Sequence, residues 1–144
     1  MNRIIIDTNL WISFLIGHQM QFVRCLLTDS RIDVYVCPQL LAEIRDVANR
    51  EKIRKYVTPF DLEDLMSIIY AFCKHATLTV KASAASIRDP KDLYLLSLAE
   101  TIGADYIVSG DADLTDIGQY KNTEIVKLVL KKTEFMDLLI HEGN

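Results

Sequence analysis

Residues 3–15, Arg-Ile-Ile-Ile-Asp-Thr-Asn-Leu-Trp-Ile-Ser-Phe-Leu, leave the chain little choice of fold. Three β-branched residues, Ile4 to Ile6, run without a polar break into Asp7. A strand that is apolar at every position must be covered on both faces, which points to a parallel sheet between helices. Asp7-Thr8-Asn9 ends the strand, and the apolar run after it is long enough for a helix. Asp7 therefore stands at the carboxyl end of a buried strand, the edge at which open α/β sheets bind ligands. Thr8 or Asn9 is expected to cap the following helix. A helix needs one cap residue, so Asp7 is left for other work.

The same alternation continues. Strands are expected at 33–37, 77–81, 105–109 and 124–129. Helices are expected at 18–29, from Pro38 to about 48, from the Thr58-Pro59-x-Asp61 start to about 74, from Asp89-Pro90 to Gly103, and after Thr133. Strands that alternate with helices predict a parallel sheet whose carboxyl ends share one side. The 144 residues are half hydrophobic, with only 3 Pro and 5 Gly. That composition suits one domain over 1–144 with a single core and no linker. Cys25, Cys37 and Cys73 are odd in number and far apart, which argues against disulfides and a zinc site. No signal peptide and no apolar run near the roughly 20 residues of a membrane span is visible, so a cytoplasmic protein is expected.

The formal net charge of −4 does not suit a protein that coats nucleic acid. It does suit a nuclease built on acids, because bound cations reverse the local sign. Candidate acids recur at the ends of elements. Glu43 falls in the second turn of a helix that follows a strand, flanking the apolar face of Leu40, Leu41, Ile44 and Val47. Alone it reads as a solvated helix residue, but a carboxylate there can also lean over the strand ends. In Arg88-Asp89-Pro90-Lys91-Asp92, Asp89 reads as the cap and Pro90 as the first helical residue. Asp92 shares a face with Leu95, Leu96 and Ala99, and an acid in that stripe is costly unless something binds it. Ser109-Gly110-Asp111-Ala112-Asp113 follows a second buried strand, as Asp7 follows the first, although a plain polar turn would look the same. Arg50, Lys52, Arg54 and Lys55 make a locally basic stretch that could meet RNA phosphates or simply face water.

If these carboxylates share one pocket, they repel strongly: two unit charges about 4 Å apart cost roughly 4 kcal/mol at an effective dielectric of 20. Such a cluster takes up protons or binds a cation, and an all-oxygen donor set suits Mg2+ or Mn2+ rather than Zn2+. Asp92 joins it only if the loop from 82 to 91 carries the helix start over the carboxyl edge.

These marks together resemble the PIN-domain ribonucleases, in particular the bacterial and archaeal toxins of toxin–antitoxin pairs. They are Ile-Ile-Ile-Asp7-Thr8-Asn9, helical Glu43, Arg-Asp-Pro-Lys-Asp92 and Ser109-Gly110-Asp111-Ala112-Asp113-Leu114, in this order. The resemblance implies a PIN-like three-layer α/β sandwich, with a central parallel sheet of about five strands flanked by helices. It implies a metal-dependent endoribonuclease with Asp7, Glu43 and Asp92 as its first three acids and either Asp111 or Asp113 as the fourth. Thr8, Asn9 and Ser109 match supporting polar positions. RNA as substrate, 5′-phosphate and 3′-hydroxyl products, a homodimer and a small antitoxin partner are implied by the same likeness. His18, His75 and His141 match no family position.

Three rivals were weighed. A phosphatase of the haloacid-dehalogenase type needs a second Asp two residues after the first, where this chain has Asn9. A phosphorelay receiver needs a Lys ending its last strand, which Lys127 matches poorly. A PIN fold turned into a non-catalytic RNA- or protein-binding module is the alternative that stays open.

Overall fold

The computed structural model describes residues 2–83 and 90–127. Its elements run β1 (Asn2–Ile6), α1 (Thr8–Ile16), α2 (Met20–Thr28), β2 (Ile32–Val36), α3 (Pro38–Ala48), α4 (Glu51–Arg54), α5 (Pro59–Phe72) and β3 (Lys74–His75). After a 3-10 turn at Pro90–Asp92 come α6 (Leu93–Ile102), β4 (Tyr106–Ser109), α7 (Ala112–Thr115), β5 (Gln119–Tyr120) and β6 (Thr123–Lys127). The strand order is β3-β2-β1-β4-β6-β5. All neighbours are parallel except β5, which turns back antiparallel on β6 at the sheet's edge.

β1 occupies the middle of this sheet for the reason its sequence suggests: Ile4, Ile5 and Ile6 are each 0% exposed. α1 packs against α2, α3 and α5, and α2 against α5, while α6 lies against β1 and β4. From β1 the chain builds outward through β2 and β3, then returns to place β4 on the other flank of β1. The strand order therefore reverses between β1 and β4. In open α/β sheets a crevice forms at such a reversal, outside the carboxyl ends of the strands. Ile6 pairs with Val108, so the next residues along, Asp7 and Ser109, stand side by side over that crevice.

Several local readings are corrected by the structure. The N-cap of α1 is Asp7, not Thr8 or Asn9, yet its side chain makes no capping hydrogen bond. Its carbonyl receives the amides of Leu10 and Trp11 instead, which leaves the carboxylate to point elsewhere. The strand expected at 77–81 lies earlier, at Lys74–His75, where it pairs with Tyr35 and Val36. The alternating residues that suggested a strand form a strap along α6. The amides of Thr79 and Val80 donate to Thr101 Oγ1, and that of Ala82 to Ser97 Oγ. Pro90 opens a 3-10 turn rather than an α-helix, and Asp92 becomes the N-cap position of α6. Gly103, with φ +65°, ends α6 in the left-handed conformation that a side chain disfavours. The sheet has six strands where about five were expected, because the two-residue β5 adds an edge. Asp89 as a cap, the tail of the strand at 124–129 and the helix after Thr133 lie outside the described residues, as does His141.

Candidate metal centre

Three helices bring their acids to the crevice. Asp7 precedes α1, Glu43 sits in the second turn of α3, and Asp92 precedes α6. Each of these helices follows or leads a parallel strand, so each begins over the carboxyl edge. Asp92 arrives there by the same topology, and the loop before it need only reach the edge. One carboxylate oxygen from each of Asp7, Glu43 and Asp92 lies within 4.8 Å of the others. Asp7 is 3% exposed and Asp92 8%, while Glu43 is half-buried.

Asp7 is the most tightly held. Ser109 Oγ, itself fully buried, donates to Asp7 Oδ2 at 2.7 Å. The same hydroxyl accepts the amide of Asp111 at 2.9 Å, so one serine ties the ends of β1 and β4 together. Burial raises the Asp7 pKa above the ordinary carboxyl value; hydrogen bonds from Ser109 and the Thr8 amide oppose the rise, and the charges of Glu43 and Asp111 add to it. Among the described residues no ion pair joins Asp7 or Glu43 to a cationic side chain. The site thus gathers negative charge in a dry setting. A divalent cation with oxygen ligands fits it in chemistry and in spacing.

Asp111 and Asp113 differ from the expectation of a fourth converging acid. Neither belongs to the close group. Asp111 Oδ1 accepts the amide of Asp113 at 2.9 Å and so caps α7, which explains why its carboxylate is turned away. Its charge still reaches Asp7. Among the supporting positions, Ser109 touches Asp7 and Thr8 is buried beside it. Asn9 is exposed on α1, and its carbonyl serves the Ser13 hydroxyl.

Tyr94 was not singled out in the sequence. It stands two residues after Asp92, and its hydroxyl lies 3.4 Å from Thr8 Oγ1. Burial, together with the charges of Glu43 and Asp7, keeps this phenol protonated well above its ordinary range. The other side of Tyr94 borders a hollow of about 430 Å3, lined also by Leu78, Val80, Lys81, Leu93 and Ser97. A tyrosine in an apolar helix needs a partner for its hydroxyl, and that requirement was the only signal available.

The basic stretch is remote from the acids. Arg50 follows the far end of α3, about 10 Å along the helix axis from Glu43, and it pairs with Asp46 at 3.3 Å. Lys52, Arg54 and Lys55 are exposed on and just after α4. His18 lies between α1 and α2, and His75 stacks on Tyr70 at the sheet's edge, so neither enters the centre.

The family model of the PIN domain matches residues 3–113, a span that holds all five candidate acids. The fold is similar to a chain of VapBC2 from Rickettsia felis, solved bound to a DNA fragment from their promoter. The TM-score is 0.53 at 14% identity, over 87% of this chain and 98% of that one. The PIN domain of T. brucei RRP44 aligns with a TM-score of 0.43 at 16% identity, over 99% of this chain and 84% of that one. No curated protein matches the sequence. With the family match covering well over half of the sequence, and a mostly parallel sheet bearing acids at its strand reversal, the chain belongs to the PIN-domain family.

Proposed function

We propose that the protein is a Mg2+- or Mn2+-dependent endoribonuclease, with residues 1–144 acting as one nuclease domain. The observation that carries this reading is the convergence of Asp7, Glu43 and Asp92 within 4.8 Å at the sheet's reversal. Family membership supports hydrolysis of a nucleic-acid phosphodiester.

In this reading Asp7 is the central ligand, held in one rotamer by Ser109. Glu43 and Asp92 supply the other two carboxylates, and Asp111 contributes negative charge from behind Asp7. A divalent cation, when bound, polarises water and offsets charge on the phosphate. Without it, the acids alone would repel an anionic backbone, so the same residues both require the cation and exclude substrate until it is present. Asp113 belongs to α7 rather than to the ligand set. Arg50, Lys52, Arg54 and Lys55 are placed for a distal RNA contact and not for the chemistry.

The role as the toxin of a toxin–antitoxin pair, restrained by a small antitoxin, rests on the resemblance of the sequence. The similar VapBC2 complex from Rickettsia felis adds support. A homodimer and a cytoplasmic setting belong to the same reading.

The test is cleavage of a labelled RNA panel with Mg2+, Mn2+ or EDTA, beside Asp7→Asn. We expect cutting that needs the metal and disappears in the variant. Cutting that persists in Asp7→Asn or in EDTA would remove the chemistry from this centre. A wild type that neither cuts nor binds Mn2+ would favour the non-catalytic binding module.

A further inference from the structure

The corner between α4 and α5 holds two large rings out in water. Phe60 is 78% exposed, more than any other large apolar side chain among the described residues, and Tyr56 is 59% exposed. Tyr70 is also exposed, but its ring lies flat on His75. Neither Tyr56 nor Phe60 has a ring partner among the described residues. Leaving such area in water forgoes the gain of burial, and the corner is not loose. Val57, between the two rings, is buried, and Ile53 packs on the core. The amides of Tyr56 and Val57 both donate to the Ile53 carbonyl. Thr58 and Asp61 then close the cap of α5. Both rings therefore stand on a fixed backbone.

The charge beside them is one-sided. Residues 50–55 hold four cations and one acid, Glu51, in a chain whose net charge is −4. Arg50 pairs with Asp46, but Lys52, Arg54 and Lys55 are exposed and form no ion pair among the described residues. The acids of α5 are engaged elsewhere: Asp61 in the cap, Glu63 with Arg45 and Asp64 with Arg24. Cations draw phosphates, and flat exposed rings draw flat partners. A single-stranded nucleic acid offers both, because its base faces are open, whereas in a duplex they are already stacked. An acidic protein would satisfy the cations and leave the rings in water.

We propose that Tyr56 and Phe60 stack on the bases of single-stranded RNA while Lys52, Arg54 and Lys55 hold its phosphates. The proposal rests on the reading of RNA as the substrate. It names the form of that RNA: an unpaired segment, bound beyond the end of α3 and away from the acids.

The experiment is fluorescence anisotropy on the full chain in EDTA, with three probes: a labelled oligouridylate of about eight nucleotides, an RNA duplex of the same length, and polyglutamate. EDTA prevents cutting, and the patch needs no metal. We expect the single strand to bind more tightly than the duplex or polyglutamate. Tyr56→Ala and Phe60→Ala should each weaken it by roughly 5- to 150-fold. Tyr56→Phe and Phe60→Tyr keep the rings and should stay near wild type. Both alanine variants should lose affinity at every salt concentration without changing the salt slope, while Lys52→Ala/Lys55→Ala should flatten that slope. Thermal melts of all variants should match wild type, since these side chains are exposed. Unchanged single-strand affinity in both alanine variants would overturn the proposal. Polyglutamate binding as tightly as RNA would also overturn it and point to an acidic protein partner. Cutting of RNA with Mn2+ is measured in parallel. A wild type that cuts RNA but does not bind the oligouridylate would overturn the proposal and leave the nuclease reading standing. A wild type that neither cuts nor binds RNA would overturn both.

Discussion

Asp7 combines two demands that rarely meet in one side chain. It must be buried, because it follows Ile4–Ile6, none of them exposed, and it must carry charge if it is to hold a cation as proposed. Burial raises its pKa above the ordinary value of 3.8 in the metal-free protein. The unfolded chain releases that proton at lower pH than the folded one. Stability from this group is therefore fully present below the unfolded value and is lost as pH rises through the folded one. In EDTA the protein should lose stability as pH rises above the ordinary carboxyl range. Asp7→Asn, which keeps an acceptor for Ser109, should lose less over the same range. Urea unfolding of both proteins across that range measures the difference, and parallel curves would assign the decline to other groups. Asp7 and Asp92 were legible in the sequence because an acid at the end of an apolar strand, or in an apolar helix face, conflicts with its surroundings; Glu43, on the flank of its helix's apolar face, was singled out only by the resemblance. Tyr94 was not, because a tyrosine among leucines looks like ordinary core. Asp111 and Asp113 could not be separated by pattern alone, since what separates them is which carboxylate caps α7.

Helix and strand limits followed local chemistry where that chemistry was self-contained. The start of α5 is one such case: Thr58 Oγ1 accepts the Asp61 amide while Asp61 returns a bond to the Thr58 amide. Thr58→Ala should cost about 1 kcal/mol of stability in urea unfolding, with no change in Mn2+ affinity, since this cap is at the start of an element that supplies no ligand. The reading failed at 77–81, where alternation matched a strand but the backbone donors went to Thr101 and Ser97 on α6. Tertiary partners decided that segment, and periodicity carries no record of them. The α4 stretch makes a separate prediction. Replacing Arg50, Lys52, Arg54 and Lys55 with Ala should weaken RNA binding at low salt and flatten its salt dependence, while Mn2+ binding stays as in wild type. Equal RNA affinity in both proteins would leave α4 as an ordinary solvated helix.

At the scale of the molecule, the parallel class of the sheet was legible from Ile4–Ile6 of β1, because a strand segment apolar on both faces fits few architectures. The strand order was not, since nothing local to β3 or β5 says which edge each will join. That order matters to stability through the ligand. A cation that binds only the folded state stabilises it by mass action, about 2.7 kcal/mol at 100 times the dissociation constant. For a chain of this size that corresponds to a rise in Tm of about 10 °C. Saturating Mn2+ should produce a rise of that order in wild type and almost none in Asp7→Asn, as differential scanning calorimetry would record.

The amide of Asp7 donates to the Val108 carbonyl, so the proposed central ligand is also a rung between the two central strands. In deuterated solvent that amide should exchange only when the whole sheet opens. The amide of Asp113, bound to a side chain at the start of a four-residue helix, should exchange through local fraying. In the proposed metal enzyme, loss of the cation would then leave the backbone at Asp7 in place, and reloading would require no refolding step.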